Sequence, residues 1–541
     1  MTFSLQPTAS PPRTPPSCPS PLSRIAISSH APSATFVPVP RTLLFSGFDL
    51  RAPELPDDAR ILLPPIPLPG LEPFTEACER ALEEPLAGSS LASMLRPNVR
   101  VGVVIDDPSL PVPPPTRDCR REMLAAVLRT LSNHGVRSNR VTVLVANGLS
   151  RQWRAAELTE LFGQESMAAY PIQSHDAEAG TSLMRLGEEP EGPVEFNRGL
   201  CEADVVVHIN VVSMPLMAGL FGIASGATGY RTARFLSAPQ ILVRDDKPYV
   251  PGSAWHQVHE RVAGYLARQV PVLQLSTVLN NELWSPALSA ILRSEEGLTR
   301  PLQMWNALPA AVRHRAARLL KANYRPIAVM AGPPEVVAPR ALELFYRQHE
   351  VPMEAPADVL VFGLPDLGPA SVGAAQNPIL SANLALGYVA NLFTREPPLR
   401  RGGVIVFANP LAPVFDRRAH LPHEEFYEKV LRIERDPLAI HERFEPYFAG
   451  RPEFVANYQR RFAFHGAHPL YAWYLTHPAR RHAGKIIVAH GDPRACARLG
   501  FTPAVDVEEA LDKARDFLDD AKPGISVMEL PPPFWIRRPA A

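Results

Sequence analysis

Lysine is nearly absent from this sequence of 541 residues. Only six of its 55 basic residues are lysines, and the first of them is Lys247. The N-terminal half therefore has no lysine that could anchor a cofactor. A surplus of positive charge is also absent, because 55 acidic residues balance the basic ones. Since binding to a phosphate backbone needs a concentrated positive field, the composition argues against a nucleic-acid partner.

Cysteine is scarce too, and the sequence contains no C-x-x-C pair. The cysteines are Cys18, Cys78, Cys119, Cys201 and Cys496. Their wide spacing argues against a disulfide scaffold and against a zinc ribbon. We expect buried free thiols in a reducing compartment, which predicts a cytoplasmic protein.

The sequence has no apolar run that is typical of a signal peptide or a membrane span. Its first forty residues are rich in Pro, Ser and Thr instead. Residues 205–230 have no formal charge, but Pro215 and four glycines interrupt them. A buried strand that continues into a glycine-rich loop explains this stretch better than a membrane helix. We therefore expect no contact with a membrane.

The remaining sequence alternates between short apolar runs and segments with helical spacing. Strands are predicted at 60–65, 100–105, 140–146 and 204–212, with helices at 117–134 and 155–162. Residues 258–325 look mainly helical, and further strands are predicted at 327–330, 359–362, 404–407 and 485–489, before a last helix at 507–517. This order predicts an α/β fold with parallel-type sheets flanked by helices.

Four segments follow from this pattern. Residues 1–41 are predicted to be a disordered tail, 42–300 an N-terminal domain, 301–325 a helical connector and 326–541 a C-terminal α/β domain. A cleft between the two domains is the expected ligand site.

Two loops follow predicted strands at the edge where parallel sheets usually bind ligands. The first contains Asp106, Asp107 and Ser109, and its adjacent carboxylates could act as acid, base or hydrogen-bond acceptor. A solvated turn that caps the next helix is the alternative. The second contains Ser150 and Arg151, whose guanidinium could bind a carboxylate or phosphate, although a surface arginine is the more common outcome.

A third loop, residues 219–229, is rich in glycine and contains Gly219, Gly222, Ser225 and Gly226. Glycines after a buried strand allow backbone N–H groups to approach an anion, but the loop matches neither the Walker nor the G-x-G-x-x-G pattern. Tight helix packing explains the glycines equally well. The histidine pairs 256/259 and 465/468 have metal-ligand spacing but no third ligand nearby, so no metal site is predicted.

These motifs, in this order, resemble the nickel-dependent lactate racemase family. The resemblance begins at the Leu-Leu-Phe-Ser-Gly of residues 43–47 and includes the Asp-Asp loop, the Asn-Gly of 147–148 and the His-Asp of 175–176. It resumes at the Gln-Asn-Pro of 376–378 and closes with the His-Gly-Ala-His of 465–468. It thus covers nearly the whole chain after residue 41.

The resemblance implies a nickel-bearing pyridinium nucleotide tethered to a lysine of the glycine-rich loop, with two histidines as acid and base. In this chain Ser225 stands at the tethering position, and Ser150 and Pro215 stand where the histidines are expected. Leu110 replaces an arginine that binds the substrate carboxylate, and the lysine expected after Asn377 is missing. The family's cofactor is therefore not expected here, because a hydroxyl cannot replace the lysine amine.

Three interpretations remain open at this point. The chain is a diverged homologue without nickel chemistry that binds a small hydroxyacid or nucleotide, or acts as a non-catalytic subunit. The candidate catalytic residues, if the chain is active, are Asp107 and Ser150. Alternatively, it is an isomerase of the racemase and epimerase class with an altered substrate and a non-covalent cofactor. The third interpretation is a lactate racemase in the literal sense. The sequence does not indicate the oligomeric state.

Overall fold

The computed structural model describes residues 42–109, 113–244, 247–284, 304–305, 307–318, 321–366, 376–531 and 533–540. The predicted tail, Leu110 and part of the predicted connector lie outside these residues. Everything below concerns the described residues.

The strands fall largely where continuous apolar runs predict them. They are β1 (Leu44–Gly47), β2 (Asp49–Arg51), β3 (Arg60–Leu62), β4 (Val101–Asp106), β5 (Val141–Ala146), β6 (Ile172–Ser174), β7 (Leu183–Glu189), β8 (Gly192–Asn197), β9 (Val205–Val212), β10 (Val272–Leu279), β11 (Pro326–Gly332), β12 (Glu350–Pro352), β13 (Ala357–Pro365), β14 (Leu399–Ala408), β15 (Lys485–Ala489), β16 (Thr502–Ala504), β17 (Ile525–Met528) and β18 (Trp535–Arg537).

Two sheets organise the molecule. The first has six strands in the order β11-β10-β9-β4-β5-β6, and all neighbours are parallel except β10 and β11. The second has eight strands and follows the path β16-β15-β14-β13-β1-β2, with β17 between β13 and β3. Its pairs are parallel except β1 and β2. Two short two-stranded ladders, β7-β8 and β12-β18, complete the pairing.

Helices flank the sheets. The α-helices are α1 (Phe74–Glu83), α2 (Leu91–Met94), α3 (Arg120–Asn133), α4 (Ala155–Phe162), α5 (Gln164–Ala169), α6 (Arg198–Cys201), α7 (Phe221–Gly226), α8 (Tyr230–Leu236), α9 (Pro239–Arg244), α10 (Ala254–Gln269), α11 (Ala310–Arg318), α12 (Pro334–His349), α13 (Pro378–Ala382), α14 (Leu421–Glu425), α15 (Pro437–Arg443), α16 (Glu445–Gly450), α17 (Pro452–Arg461), α18 (His468–Tyr474), α19 (His477–His482), α20 (Pro493–Leu499) and α21 (Val507–Leu518). Single turns of 3-10 or π-helix occur at Ser138–Arg140, Gly180–Ser182, Pro215–Ala218, Asn383–Tyr388, Val389–Asn391 and Phe426–Val430. The α/β fold with parallel-type sheets flanked by helices is thus confirmed.

The central strands are buried on both faces. Every residue of β4 and β9 is buried, because helices cover both sides of the six-stranded sheet. Parallel strands covered in this way consist of near-continuous apolar residues, which is why the sequence pattern located them. Residues 205–230 follow the same logic, since β9 accounts for their apolar first half. No helix in the described part of the chain is long and apolar enough to cross a membrane.

One strand of this region was not predicted. Residues 258–325 were expected to be mainly helical, and α10 and α11 lie among them, but so does β10, which pairs with β9 and β11 inside the first sheet. Its polar residues Gln274, Ser276 and Thr277 are fully buried and hydrogen-bonded within the protein. These polar side chains interrupt the apolar pattern that would have indicated a strand.

Strand pairing crosses the predicted connector at residues 301–325. The strands β1 and β3 come from the N-terminal part of the chain but belong to the eight-stranded sheet. Conversely, β11 follows the connector and belongs to the six-stranded sheet. The division of the chain into domains at 42–300 and 326–541 stays a prediction. Each sheet contains at least one strand from the other side of the predicted connector.

Candidate functional site

Three loops meet at the carboxyl edge of the six-stranded sheet. The register pairs Asp106 at the end of β4 with Ala146 at the end of β5, and Ile105 with Ile209 in β9. The nine residues singled out from the sequence lie at the end of β4, in the loops that follow these strands, or in α7. The structure therefore brings the predicted site residues to one edge, as parallel strands require.

Asp106 lies inside the protein. Its side chain is fully buried and accepts hydrogen bonds from His208 Nε2 at 2.8 Å and from Asn210 Nδ2 at 2.7 Å. Gln274 and Ser276 in turn donate to Asn210 Oδ1 at 3.0 and 2.6 Å. This network joins β4, β9 and β10, so the contacts of Asp106 are structural. Among the described residues, His208 uses only one ring nitrogen, since its Nδ1 has no hydrogen-bond partner there.

Asp107 is the more accessible carboxyl group. It is half-buried, and its Oδ1 accepts hydrogen bonds from Trp153 Nε1 at 3.1 Å and from the Ser109 backbone N–H at 3.0 Å. Burial raises the pKa of Asp107, although these hydrogen bonds oppose the rise. A carboxyl group whose pKa moves toward neutrality is suited to accept or donate a proton.

The side chains of Ser150 and Arg151 differ in their hydrogen bonds. Both terminal nitrogens of Arg151 donate to Glu157 at 2.9 Å, and its guanidinium lies 5.0 Å from the Trp153 ring centre. The fork that was predicted to bind a ligand is thus occupied by Glu157. Ser150 is half-buried, and its hydroxyl makes no hydrogen bond to the described residues.

The glycine-rich loop packs directly onto the sheet. A Cβ atom at Gly222 would lie 2.0 Å from Asp106 Oδ1, and one at Gly226 would lie 2.1 Å from the Ala146 carbonyl oxygen. The Gly148 N–H also donates to the Gly226 carbonyl at 3.0 Å. Gly219 differs, because the atom nearest to its Cβ position is 3.8 Å away. Close contact with the sheet accounts for glycine at 222 and 226, and a ligand role for the loop stays a prediction.

The residues of this loop do not fit the tethered nickel nucleotide. The Ser225 hydroxyl donates to the Phe221 carbonyl at 2.9 Å, one turn earlier in the same helix. Lys247, the first lysine of the chain, donates to Glu396 at 2.7 Å. Within the described ranges, no three His, Cys, Asp or Glu side chains are grouped so that they could hold a metal ion. We therefore derive no chemical step through that cofactor.

The C-terminal half of the chain closes over the second loop. The buried Tyr458 hydroxyl donates to the Gly148 carbonyl at 2.8 Å, and the His465 backbone N–H donates to the Leu149 carbonyl at 3.1 Å. His465 Nδ1 accepts the Ala467 N–H at 3.1 Å, so its Nε2 carries a proton and donates to Glu178 at 2.8 Å. This histidine is thus a fixed hydrogen-bond donor between the two halves of the chain.

The carboxyl edge of the eight-stranded sheet carries an acidic group that the sequence did not indicate. Asp366 follows β13, is 4% exposed and accepts a hydrogen bond from Asn409 Nδ2 at 3.3 Å. Burial raises its pKa to about 6. A cavity of about 180 Å³ opens at the same edge, beside Arg51, His490 and Asp506, and none of the predicted site residues lines it.

Sequence reasoning also missed Arg120, the first residue of α3. It is 1% exposed, although arginine is rarely buried completely. Asp118, two residues earlier, accepts a hydrogen bond from the Arg120 backbone N–H at 2.9 Å just before α3. The only sequence signal was this Asp-x-Arg pattern at the start of a predicted helix, which does not reveal burial.

Comparisons with known proteins agree with this architecture. Residues 51–229 match the lactate racemase N-terminal domain. The lactate racemase of Lactiplantibacillus plantarum is 22% identical over 218 residues, which cover 38% of this chain and 48% of that protein. The match thus spans about half the length of this curated relative.

Solved structures show the same fold over most of the chain. The lactate racemase apoprotein from Thermoanaerobacterium thermosaccharolyticum superposes with a TM-score of 0.63 at 17% identity, covering 92% of this chain and all of the other. A protein from Thermotoga maritima gives a TM-score of 0.50 at 14% identity, covering 86% of this chain and 98% of the other. At these identities the superpositions establish the fold alone.

Proposed function

We propose that this chain, which belongs to the lactate racemase-like family, binds a small hydroxyacid or a nucleotide without nickel-pincer chemistry. The binding site in this proposal is the carboxyl edge of the six-stranded sheet, around Asp107 and Ser150. We further propose that the protein is cytoplasmic and has a small-molecule partner rather than a nucleic acid or a membrane.

One observation carries the proposal. The tethering position of the cofactor is occupied by Ser225, whose hydroxyl is hydrogen-bonded to its own helix, and no lysine precedes Lys247. A serine hydroxyl cannot form the bond that a lysine amine makes to the cofactor. The helix that carries Ser225 is packed against Asp106 and Ala146, which supports a structural role for this part of the former cofactor site.

The groups that remain accessible support binding. The Asp107 carboxyl and the Ser150 hydroxyl are both half-buried at neighbouring strand ends, and no hydrogen bond from another described residue occupies the Ser150 hydroxyl. A hydroxyl group without an adjacent base is a weak acid and cannot shuttle protons at neutral pH. Ser150 is therefore better suited to contact a ligand than to replace a catalytic histidine.

Two measurements on wild-type protein purified from its native host test this proposal. We expect intact-mass analysis to show no covalent nucleotide adduct. We also expect thermal unfolding to shift upward with at least one hydroxyacid or nucleotide, because a ligand that binds only the folded state stabilises it. A covalent adduct, or interconversion of D- and L-lactate by the purified protein, would contradict the proposal. An unfolding temperature that no tested hydroxyacid or nucleotide raises would contradict it as well.

A second candidate function rests on Asp107. The raised pKa of this carboxyl group suits an acid–base role in an isomerase that uses a non-covalent cofactor. Metal analysis and mass spectrometry under native conditions test this second function. The isomerase requires a bound nucleotide or metal in protein from the native host, so protein that carries neither would contradict it, whereas a bound nucleotide alone is compatible with both functions.

A further inference from the structure

The side chain of Arg120 carries an unpaired hydrogen-bonding edge inside the protein. Arg120 begins α3, the helix that follows β4, so it lies at the carboxyl edge of the six-stranded sheet. Its Nη1 donates to both carboxylate oxygens of Asp118, at 3.1 and 2.8 Å. Its Nε and Nη2 are buried and have no hydrogen-bond partner in the part of the chain that the structure describes.

These two unpaired nitrogens form one edge of the planar guanidinium. Nε–H and Nη2–H point in the same direction, and this pair is the fork with which arginine binds a carboxylate through two parallel hydrogen bonds. Leaving donors of a buried cation without partners is unfavourable, so a packed protein rarely retains such a group without a use. The ion pair with Asp118 holds the guanidinium in place, while the hydrogen-bonding positions of this fork stay unfilled among the described residues.

The charges around Arg120 restrict what the fork can bind. Besides Asp118, the carboxyl groups of Asp106 and Asp107 are close enough to act on Arg120 electrostatically. A dianionic phosphate would be repelled by these neighbours. A monocarboxylate adds only one negative charge, and protonation of Asp107, which burial favours, would reduce the repulsion further.

We propose that the Nε–Nη2 edge of Arg120 binds the carboxylate of a small monocarboxylic ligand such as a 2-hydroxyacid. This inference rests on the proposed function and narrows it, since it favours a hydroxyacid over a nucleotide. Arg120 would supply, from the start of α3, the guanidinium that the family resemblance expects where this chain has Leu110. Arg120 is a binding residue in this proposal, and no chemical step is assigned to it.

Calorimetric titration of the full chain with L-lactate, D-lactate and the neutral analogue lactamide tests this assignment. We expect at least one lactate enantiomer to bind about tenfold or more tightly than lactamide, because only the carboxylate can accept two hydrogen bonds from the fork. R120K keeps the positive charge and lacks the fork, and R120M lacks both. Both variants should lose this preference for lactate and bind lactamide as the wild type does.

R121M is the matched control, because Arg121 is the next residue of the same helix and is exposed. It should bind lactate like the wild type. Lactate affinity in R120K equal to that of the wild type would overturn the inference, and so would wild-type protein that binds nucleotides but no hydroxyacid, although the proposed function would then stand. Wild-type protein that binds neither class would overturn both.

A crystal structure of the wild type with L-lactate gives a second result that does not depend on the folding of any variant. We expect both carboxylate oxygens within about 3 Å of Arg120 Nε and Nη2, the usual length of such hydrogen bonds. A carboxylate bound elsewhere would overturn the assignment.

Discussion

Replacing Gly222 by alanine tests whether the glycine-rich loop is a packing element. The new Cβ would lie 2.0 Å from Asp106 Oδ1, far inside van der Waals contact, so α7 or Asp106 would have to move. Forcing extra atoms into a packed core costs about 1–3 kcal/mol. Displacing Asp106 would also weaken its bonds to His208 and Asn210, and an unpaired buried polar group costs about 1–3 kcal/mol more.

One effect opposes this loss. Alanine inside a helix is favoured over glycine by about 1 kcal/mol, and Gly222 is the second residue of α7. The net expectation for G222A is a decrease in the free energy of unfolding of about 1–5 kcal/mol, measured by urea denaturation followed by circular dichroism.

G219A is the control from the same loop. Its Cβ would meet no atom closer than 3.8 Å, so we expect a change within about 0.5 kcal/mol. The packing argument is refuted if G222A is as stable as the wild type, or if G219A loses as much stability as G222A. A G222A variant with full stability and lost ligand binding would instead indicate that the loop contacts the ligand.

Three further predictions concern buried hydrogen bonds and carboxyl groups. Y458F removes the hydroxyl that donates to the Gly148 carbonyl, and urea denaturation should show a loss of about 1–3 kcal/mol, whereas an unchanged midpoint would contradict the importance of this contact. The folded-state pKa of Asp366 is about 6 against an ordinary value of 3.8, so between these pH values the folded state binds more protons than the unfolded state and stability falls as pH rises. D366N should therefore be more stable than the wild type at pH 8 by up to about 3 kcal/mol and show no gain at pH 4, and equal effects at both pH values would refute this reasoning. W153F removes a hydrogen bond to the Asp107 carboxylate and should raise the pKa of Asp107 further, which NMR titration of its carboxyl carbon can follow, and a pKa that stays the same or falls would contradict it.

The α/β fold was predictable because its strands are buried on both faces. The runs at 100–105, 140–146 and 204–212 coincide closely with β4, β5 and β9. The strand β10 was not predicted, because its polar side chains do not face water but complete a hydrogen-bond network around Asn210. Periodicity reports burial through apolar residues, so a strand that buries polar ones gives no such signal.

The location of the predicted residues in the fold could be inferred from the sequence, but their contacts could not. Asp107 and Ser150 were expected at the carboxyl ends of parallel strands, and the structure has both at one edge of the sheet, while their role in binding stays a prediction. It could not show that Glu157 occupies the Arg151 fork, nor that Asp106 pairs with His208, which is 102 residues away in the sequence. Such pairings depend on tertiary contacts, and no local pattern encodes them.

The packing of α7 restricts where a ligand could lie at the carboxyl edge of the six-stranded sheet. At the ends of β4 and β5, α7 covers Asp106 and Ala146 so closely that even a methyl group does not fit at Gly222 or Gly226. A ligand bound on this side would have to displace those contacts. The proposed carboxylate site lies instead where α3 begins with Arg120. If that proposal holds, substitutions in α3 and in α7 should affect binding and packing separately, because the two helices contribute separate contacts to the same sheet edge.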